Sequence, residues 1–596
     1  MKISAKTRLL VLSFAAMSGA TVATSAANAN SAAVDYFRNR GDRTEVPSLL
    51  GQNERGYYRS VHEAIDRKDW AQVEQLLKQD TDGLLHQHAM AEYYLAPTSP
   101  KIELPDLEAW LRKGTAHPHS RQIGKLAIKR GAESLPSLPS PRQFQRLPTM
   151  PNRIRPAKTK DGTMPGTIAT GIVNHIKNDD PVGAQVLLDG VDATLSQPAR
   201  AEWRTRVAWS YYIENQDEAA YRLAQLASAG SGPWVAEGWW TAGLAAWRLG
   251  DCDGAADAFN RSAGLAVNPE LTAAGYYWQS RALVRCRKPE TAAEALRGAA
   301  AHEETLYGML AAEQLGQELS RHHAGADFTK QDWQRLRHVE NVRIAAGLAE
   351  IGEDGAADEV LRHQARIGDP SQFEPLTRLA RDLGLPSTQL WMSYNAPYGA
   401  RPEPATRFPT PKWTPTGGWS VDPALVYAHA LQESRFRTSV VSPAGARGLM
   451  QIMPAAARDH AAALGVAGTA RDLTRPEVNL AFGQRHMQML KNSGGTQGLL
   501  PKVMAAYNAG LTPITRWNHE INDQGDPLLW MESIPYWETR GYVNIVMRNY
   551  WMYERQAGGS SESRLVMAQG MWPTFPGLTG SQGVRMTLNG ALSHGR

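Results

Sequence analysis

The chain reads as a mainly α protein: a long N-terminal array of helical hairpins followed by a smaller C-terminal domain. Three observations predict this. From about residue 31 to 383 apolar residues recur at helical spacing in paired runs, and one pair is echoed 36 to 38 residues later. A Pro-rich stretch, Ser393–Gly418, then breaks the pattern. Beyond it, Val421–Pro454 opens on a helix start and runs into a Gly-punctuated loop. With 596 residues the chain exceeds one core, and roughly three to five domain-sized units are expected.

Taken in order, residues 1–29 read as an export signal. Lys2, Lys6 and Arg8 form a basic start, Leu9–Val22 a short apolar stretch, and Ser25, Ala27 and Ala29 fit a small-residue cleavage pattern. About 14 weakly apolar residues are too few to span a bilayer, so no membrane anchor is expected. The remaining chain carries 61 basic against 59 acidic residues, a balance that gives no support to nucleic-acid binding. Cys252 and Cys286 are the only cysteines; they form one disulfide in an oxidising compartment or remain two buried thiols. With no C-x-x-C and no H-E-x-x-H, neither a redox motif nor a metal site is indicated, and no cofactor is expected.

Residues 30–392 are assigned to the helical array. Val61, Ile65, Trp70, Val73, Leu76 and Leu77 fit two short helices broken near Lys68-Asp69. Residues 97–165 hold eleven prolines, which argues for an extended crossing segment more than for packed helices. The clearest repeat is Trp240-x-x-Gly243-x-x-Ala246, Gly250-Asp251 and Ala255-Ala256-x-x-Phe259, echoed by Trp278, Ala282, Ala293 and Leu296. That period is close to tetratricopeptide-type repeats, a superhelical array in which each hairpin buries its face only against its neighbours. It would place Cys252 and Cys286 near equivalent turns of adjacent hairpins. Trp234, Trp239, Trp240 and Trp247 could stack on sugars, but their helical spacing marks most of them as core. Such an array is either a peptide- or protein-binding surface or a curved support for the domain that follows.

Residues 393–418, with six prolines, read as a stiff extended linker, 419–555 as the catalytic domain, and the Gly-, Ser- and Met-rich 556–596 as a loosely ordered tail. In the catalytic domain Asp422 is a plausible N-cap and Pro423 the first helical residue; the helix should fray near Phe436, with Glu433 in its last turn. There the negative end of the helix dipole and burial both disfavour the carboxylate and raise its pKa, which suits a general acid. A plain surface carboxylate paired to Arg435 or Arg437 is the bland alternative.

Four segments then follow in order: E-S-x-F at Glu433, S-P-x-G-A-x-G-L-M-Q-I-M-P from Ser442, A-Y-N-A-G from Ala506, and E-S-I-P-x-x-E-T-R-G-Y-V from Glu532. Together they resemble the soluble lytic transglycosylases of the bacterial cell wall, whose catalytic domain is similar to goose-type lysozyme. The motifs cover the final quarter of the chain. The array resembles that family's ring-shaped superhelical domain only in pattern and length, apart from Glu304–Gly316 (ETLYGMLAAEQLG). The resemblance implies cleavage of the β-1,4 bond between N-acetylmuramic acid and N-acetylglucosamine in peptidoglycan glycan strands, leaving a 1,6-anhydro end. It also implies a periplasmic monomer whose array could meet cell-wall synthesis or division proteins. Carried over residue by residue, Glu433 is catalytic, and Ser442, Gln451, Met453, Tyr507, Asn508 and Glu538 are substrate-binding.

The residues support a single-acid mechanism independently. Glycosidases generally use two carboxylates. Between Ser434 and Arg458 there is no Asp or Glu, and Asp459, Asp472, Glu477, Glu532 and Glu538 lack a spacing that marks a second catalytic group. One acid suffices if the substrate's own C6 hydroxyl is the nucleophile. The alternatives are a muramidase on the same fold, and a non-catalytic helical scaffold that holds glycan.

Overall fold

The computed structural model describes residues 36–37, 44–79, 82–134, 136–317, 327–576, 583–586 and 592–594; the expected signal peptide lies outside them. The described part is mainly helical, and none of its helices is long and apolar enough to cross a membrane.

The array follows the expected hairpins. Helices Gln197–Ile213, Asp217–Ala227, Trp234–Leu249, Cys252–Leu265, Pro269–Arg285 and Pro289–Ala300 stack in sequence. Side chains of the repeat explain the stacking. Phe259 packs on Trp240 and Trp278 at ring distances of 5.3 and 5.7 Å, and Trp247 meets Trp278 edge-on at 5.3 Å. Gly243 is required because a Cβ there would stand 2.6 Å from the Phe259 ring. Trp234 and Trp240 are buried, as their spacing predicts. Cys252 and Cys286 form a disulfide across the turns, with Cα atoms 5.6 Å apart.

The array closes on itself. Helix Gln52–Arg67 packs against Glu340–Ile351, Glu350 accepts from Leu49 N at 2.6 Å, and Thr44 donates to Asp382 at 2.7 Å. The break near Lys68 is present: Lys68 takes a left-handed backbone between Gln52–Arg67 and Trp70–Leu77.

Three expectations are corrected. Residues 97–165 include two packed helices, Leu104–Lys113 and Ser120–Lys129, because Pro105 and Pro118 fall at helix starts, where the missing N–H costs nothing. Only 136–165 runs extended. The linker, expected to be stiff and extended, is packed into the fold: Asn395–Pro397 pairs antiparallel with Phe144–Arg146, Pro404–Arg407 forms a 3₁₀ turn, and Phe408 is buried against Tyr553. Ala396, Ala405 and Phe408 supply the burial that its proline content obscured. The tail is ordered well past residue 555, since helix Glu562–Ala568 and the buried Trp572 pack onto both domains.

One apolar core joins the hairpins from Ile172 to Ala312 of the array, the catalytic domain and Phe575 of the tail. The extended segment 150–159 crosses this junction. Arg153, buried and stacked over Trp240, donates to Glu237 of the array at 2.7 Å and to Glu532 of the catalytic domain at 3.1 Å. Tyr307 donates to the same Glu532 at 2.7 Å, Tyr212 shares a hydrogen bond with Ser533, and Ala157 O accepts from Trp234. The motifs ETLYGMLAAEQLG and ESIP thus meet here.

Candidate active site

The catalytic domain is built from α1 (Pro423–Ser434), α2 (Pro454–Leu464), α3 (Pro476–Lys491), α4 (Leu500–Ala509), α5 (Leu511–Glu520), α6 (Pro527–Glu532), α7 (Trp537–Gln556) and α8 (Glu562–Ala568). Helix α1 is its axis. Asp422 caps it, accepting from Ala424 N at 2.9 Å and from the Tyr550 hydroxyl at 2.9 Å, which fastens α7 to its start. Every residue from Pro423 to Ala430 is buried.

The helix ends abruptly. Arg435 and Phe436 both adopt left-handed backbone, φ 53° and 59°, which costs roughly 1–2 kcal/mol per residue for side chains with a Cβ. Full burial of Phe436, worth roughly 1.5–3 kcal/mol, offsets much of this. The sharp stop fixes Glu433 in the last turn, half-buried.

Glu433 has one direct partner: the Tyr542 hydroxyl donates to Oε1 at 2.6 Å. Burial pushes its carboxyl from the ordinary 4.5 up to about 7, against the Tyr542 hydrogen bond, and the charge of Glu538 adds to the rise. Behind it the wall is uncharged. His429, one turn earlier on α1, donates from Nδ1 to Leu425 O at 2.9 Å; its ring lies 4.9 Å from Tyr507 and 6.1 Å from Tyr542. Burial pushes that imidazole down to about 4, so it places no positive charge near the acid. The pairing with Arg435 or Arg437 is not what holds Glu433, since Arg437 turns back to Ser434 O at 3.0 Å.

A raised pKa alone does not mark the site. Burial pushes Glu270 to about 7 and Glu554 to about 8 as well, but both are fully buried with no access for a ligand. Glu433 alone among the three combines the retained proton with exposure.

The loop after α1 is held by its own polar groups. Ser442 Oγ accepts from Ala446 N at 3.0 Å, the turn-opening role its sequence position suits. A Cβ on Gly448, φ 73°, would fall 2.1 Å from Leu473 O, so glycine is obligatory there. Asn479 clamps the loop, accepting from Met450 N at 2.8 Å and donating to Arg447 O and Leu473 O. Gln451, φ 48°, donates to Gly448 O at 2.9 Å, and Met453 stands exposed at the start of α2. Tyr507 donates to Met450 O at 2.7 Å, tying α4 to the loop, while Asn508 accepts from Thr539 at 2.7 Å, tying α4 to α7.

The predicted residues therefore divide. Glu538 acts on Glu433 electrostatically, while Tyr507, tied to the loop at Met450 O, is itself under the influence of the Glu433 charge. Ser442, Gln451 and Asn508 brace the surrounding backbone, and Met453 offers free surface. Glu538 is exposed and is not paired with Arg540, which stacks on Trp209 at 4.1 Å and donates to Glu532 O. Of the other carboxylates weighed as second groups, Glu532 is sealed at the domain junction and Asp472 caps Thr469. Sequence reasoning missed Tyr542 and His429. Both signals were present: Tyr542 follows Glu538 by one helical turn within ETRGYV, and His429 precedes Glu433 by one turn in α1. Among the described residues, the one group with metal-ligand spacing, Cys252, Asp253 and Cys286, is joined by the disulfide.

Comparison with known proteins bears on residues 415–528, which match the family model described as transglycosylase SLT domain. The soluble lytic murein transglycosylase of Escherichia coli (strain K12) is 35% identical over 134 residues, 22% of this chain and 20% of that protein. Its counterpart in Salmonella typhimurium is 33% identical over 159 residues, 26% and 24% of the two chains. These matches span only about a fifth to a quarter of the relatives' length. The endo-type membrane-bound lytic murein transglycosylase A of Klebsiella pneumoniae is 38% identical over 90 residues, 14% of this chain and 44% of that one. In fold the likeness extends much further. The crystal structure of the 70 kDa soluble lytic transglycosylase from Escherichia coli superposes with a TM-score of 0.52 at 16% identity, over 87% of this chain and 99% of that one. A 70 kDa soluble lytic transglycosylase in complex with bulgecin A superposes with a TM-score of 0.51 at 16% identity, over 86% of this chain and 99% of that one.

Proposed function

We propose that this chain, whose residues 415–528 match the transglycosylase SLT domain, is a lytic transglycosylase of peptidoglycan. The observation that carries the reading is a single half-buried acid, pushed up to about 7, hydrogen-bonded by Tyr542 and backed by an uncharged wall. Protonated Glu433 donates to the glycosidic oxygen between N-acetylmuramic acid and N-acetylglucosamine. The leaving sugar takes the proton and positive charge develops at C1, where the substrate's N-acetyl group can share it. Glu433, now a carboxylate, removes the proton of the muramic C6 hydroxyl, whose oxygen closes on C1. The cycle returns Glu433 to its acid form and consumes no water. Intramolecular attack gains from effective molarities of ~10⁵ M or more, so an activated water is unnecessary.

A carboxyl with a pKa near the working pH serves both halves of this cycle, which fits the value of about 7. Tyr507, Gln451, Ser442 and Asn508 position the backbone that borders the acid, and Met453 supplies saccharide contact. The basic, apolar start of the chain supports export, and a periplasmic location follows from the substrate. Mass spectrometry of digested sacculi tests the chemistry: 1,6-anhydromuramic ends are expected, and reducing ends carrying one added water would replace the reading with hydrolysis.

A further inference from the structure

Histidines line the seam where the array closes on itself. His62 of helix Gln52–Arg67, His88 of helix His86–Leu95 and His117 of the loop 114–119 are buried. His119 of the same loop and His363 of helix Asp354–Ile367 are half-buried. The loop is gripped from across the seam: Ala116 O accepts from Asn341 Nδ2 at 2.8 Å and from His363 Nε2 at 3.0 Å. His119 faces Glu359 at 3.8 Å.

The contacts along this row fix its protons. His119 N donates to His117 Nδ1 at 3.3 Å, so the ring proton of neutral His117 sits on Nε2. That N–H meets His88 Nδ1 at 3.1 Å, which has to accept. The His88 proton is then on Nε2, 3.3 Å from Glu92 Oε1, while Glu92 Oε2 lies 3.0 Å from His62 Nδ1. An added proton on His117 would set two N–H groups against each other at its Nδ1. One on His88 would do the same across the 3.1 Å contact. Both rings are buried, so the conflict is relieved only by moving the loop away.

The surrounding charges act in the same sense. Burial holds His117 well below the ordinary 6.5, with His88, His119 and His363 adding to the fall and Glu92 opposing it. Burial lowers His119, helped by His88 and opposed by Glu359 and Glu92. It lowers His363 too, where Arg366 and His119 add to the fall against Ala116 O and Glu359. Helix Leu104–Lys113 offers His117 only the edge of Trp110, at 5.4 Å, and helix Glu340–Ile351 offers the seam the neutral Asn341. His62 is the exception: against its burial, Glu92, Glu353 and Asp66 raise it. Glu92 and Asp66 stand on the same side of the seam as His62, so that pairing does not hold the seam shut. A histidine lowered while enclosed takes a proton at about 6.5 once released. Its contribution to closure is complete above 6.5 and is lost as pH falls below it.

We propose that this row is an acid-sensitive clasp: neutral His88 and His117 hold residues 86–119 against helices Glu340–Ile351 and Asp354–Ile367, and uptake of a proton by either releases the seam. Pro118, Glu359 and His363 also line a cavity whose opposite wall is Arg437–Ser439, in the loop that follows Glu433. Release of the seam therefore reaches the border of the catalytic domain by a route separate from the titration of Glu433 itself.

Spin labels on Lys125→Cys and Arg343→Cys, exposed positions on opposite sides of the seam, follow it in the full chain; the native cysteines stay in their disulfide. The distance distribution should be narrow at pH 7.5, gain a longer component at pH 5 and recover when the pH is restored. His117→Gln keeps a donor toward His88 and an acceptor toward His119 but takes no proton. Since pH 5 lies about 1.5 units below the ordinary value, its open-to-closed ratio there should fall by up to ~30-fold. A distribution indifferent to pH with the native histidines, or a longer component just as large in His117→Gln, overturns the clasp. Hydrogen exchange gives a reading that needs no substitution. Corrected for intrinsic rates, amides of 86–95, 114–119 and 354–367 should lose protection at pH 5 while those of 423–434 keep theirs. Protection lost equally in all four segments, or kept in all four, overturns it as well.

Discussion

Glu433 and Glu532 each stand in the last turn of a short helix in the same domain, and their surroundings are opposite. Glu532 is sealed at the domain junction and saturated: Arg153, Tyr307 and Asn544 all reach its carboxylate, and Arg540 reaches its carbonyl. Glu433 is half-buried with one neutral donor and no cation. A buried carboxyl given cations and donors works as a fastener; one given burial and little else retains its proton and works as an acid. The difference lies in the partners, since residue type and helix position are shared.

Removing the acid should give the largest effect. Glu433→Gln keeps the Tyr542 contact and the volume, so the fold should survive while murein cleavage falls by ~10²–10⁴. Release of anhydro-muropeptides from purified sacculi measures it, and wild-type rates would refute the assignment. The same variant sharpens the comparison in stability. Because the folded pKa lies above the unfolded one, the folded chain keeps a proton that the unfolded chain releases between pH 4.5 and about 7. The stability this group contributes is therefore lost as pH rises through that window. At pH 8 Glu433→Gln should melt higher than wild type by the equivalent of roughly 1–3 kcal/mol, and at pH 4 the gain should vanish.

Breaking the fastener should act the other way. Arg153→Met leaves Glu237 and Glu532 buried without their shared cation, which typically costs ~3–5 kcal/mol. Thermal unfolding should shift down or split into two transitions as array and catalytic domain uncouple. A melting curve indistinguishable from wild type would show that the apolar core alone joins the two domains.

The third change is confined to pH dependence. Activity requiring protonated Glu433 should fall as pH rises through about 7. The Tyr542 hydrogen bond favours the carboxylate, so Tyr542→Phe should move that alkaline limb to higher pH. A limb that stays in place would remove Tyr542 from the site.

How much of this was legible in the chain depended on how local the signal was. The helix from Pro423, its Asp422 cap and the last-turn position of Glu433 are written in adjacent residues, as is the Trp-x-x-Gly hairpin whose glycine admits Phe259. The junction was not legible, because it is made by residues far apart in sequence. Arg153 sits in a Pro-rich stretch with no periodicity, and its partners lie 84 and 379 positions away. Proline content correctly foretold extended backbone for 136–165 but hid the helices that begin at Pro105 and just after Pro118. It also hid the burial of Phe408. Tyr542 was within a recognised motif, yet nothing in a linear reading says that one face of α7 meets the end of α1.

Glu538 gives the smallest effect and the finest test of the contrast. It lies on α7 one turn before Tyr542, exposed, and its negative charge raises the Glu433 pKa as the lesser of the two causes that do so. Glu538→Gln removes that repulsion, so the alkaline limb should move to lower pH, opposite to Tyr542→Phe. The interaction crosses solvent-accessible space and is screened beyond ~8–10 Å at physiological salt. The shift should therefore shrink with added salt, whereas the Tyr542 shift, which depends on a hydrogen bond, should not. If Glu538 instead supplied a second catalytic carboxylate, its loss would lower the plateau rate by orders of magnitude at every pH. Kinetics across pH at two ionic strengths separate the two cases, and only a moved limb with an intact plateau leaves Glu433 as the single acid.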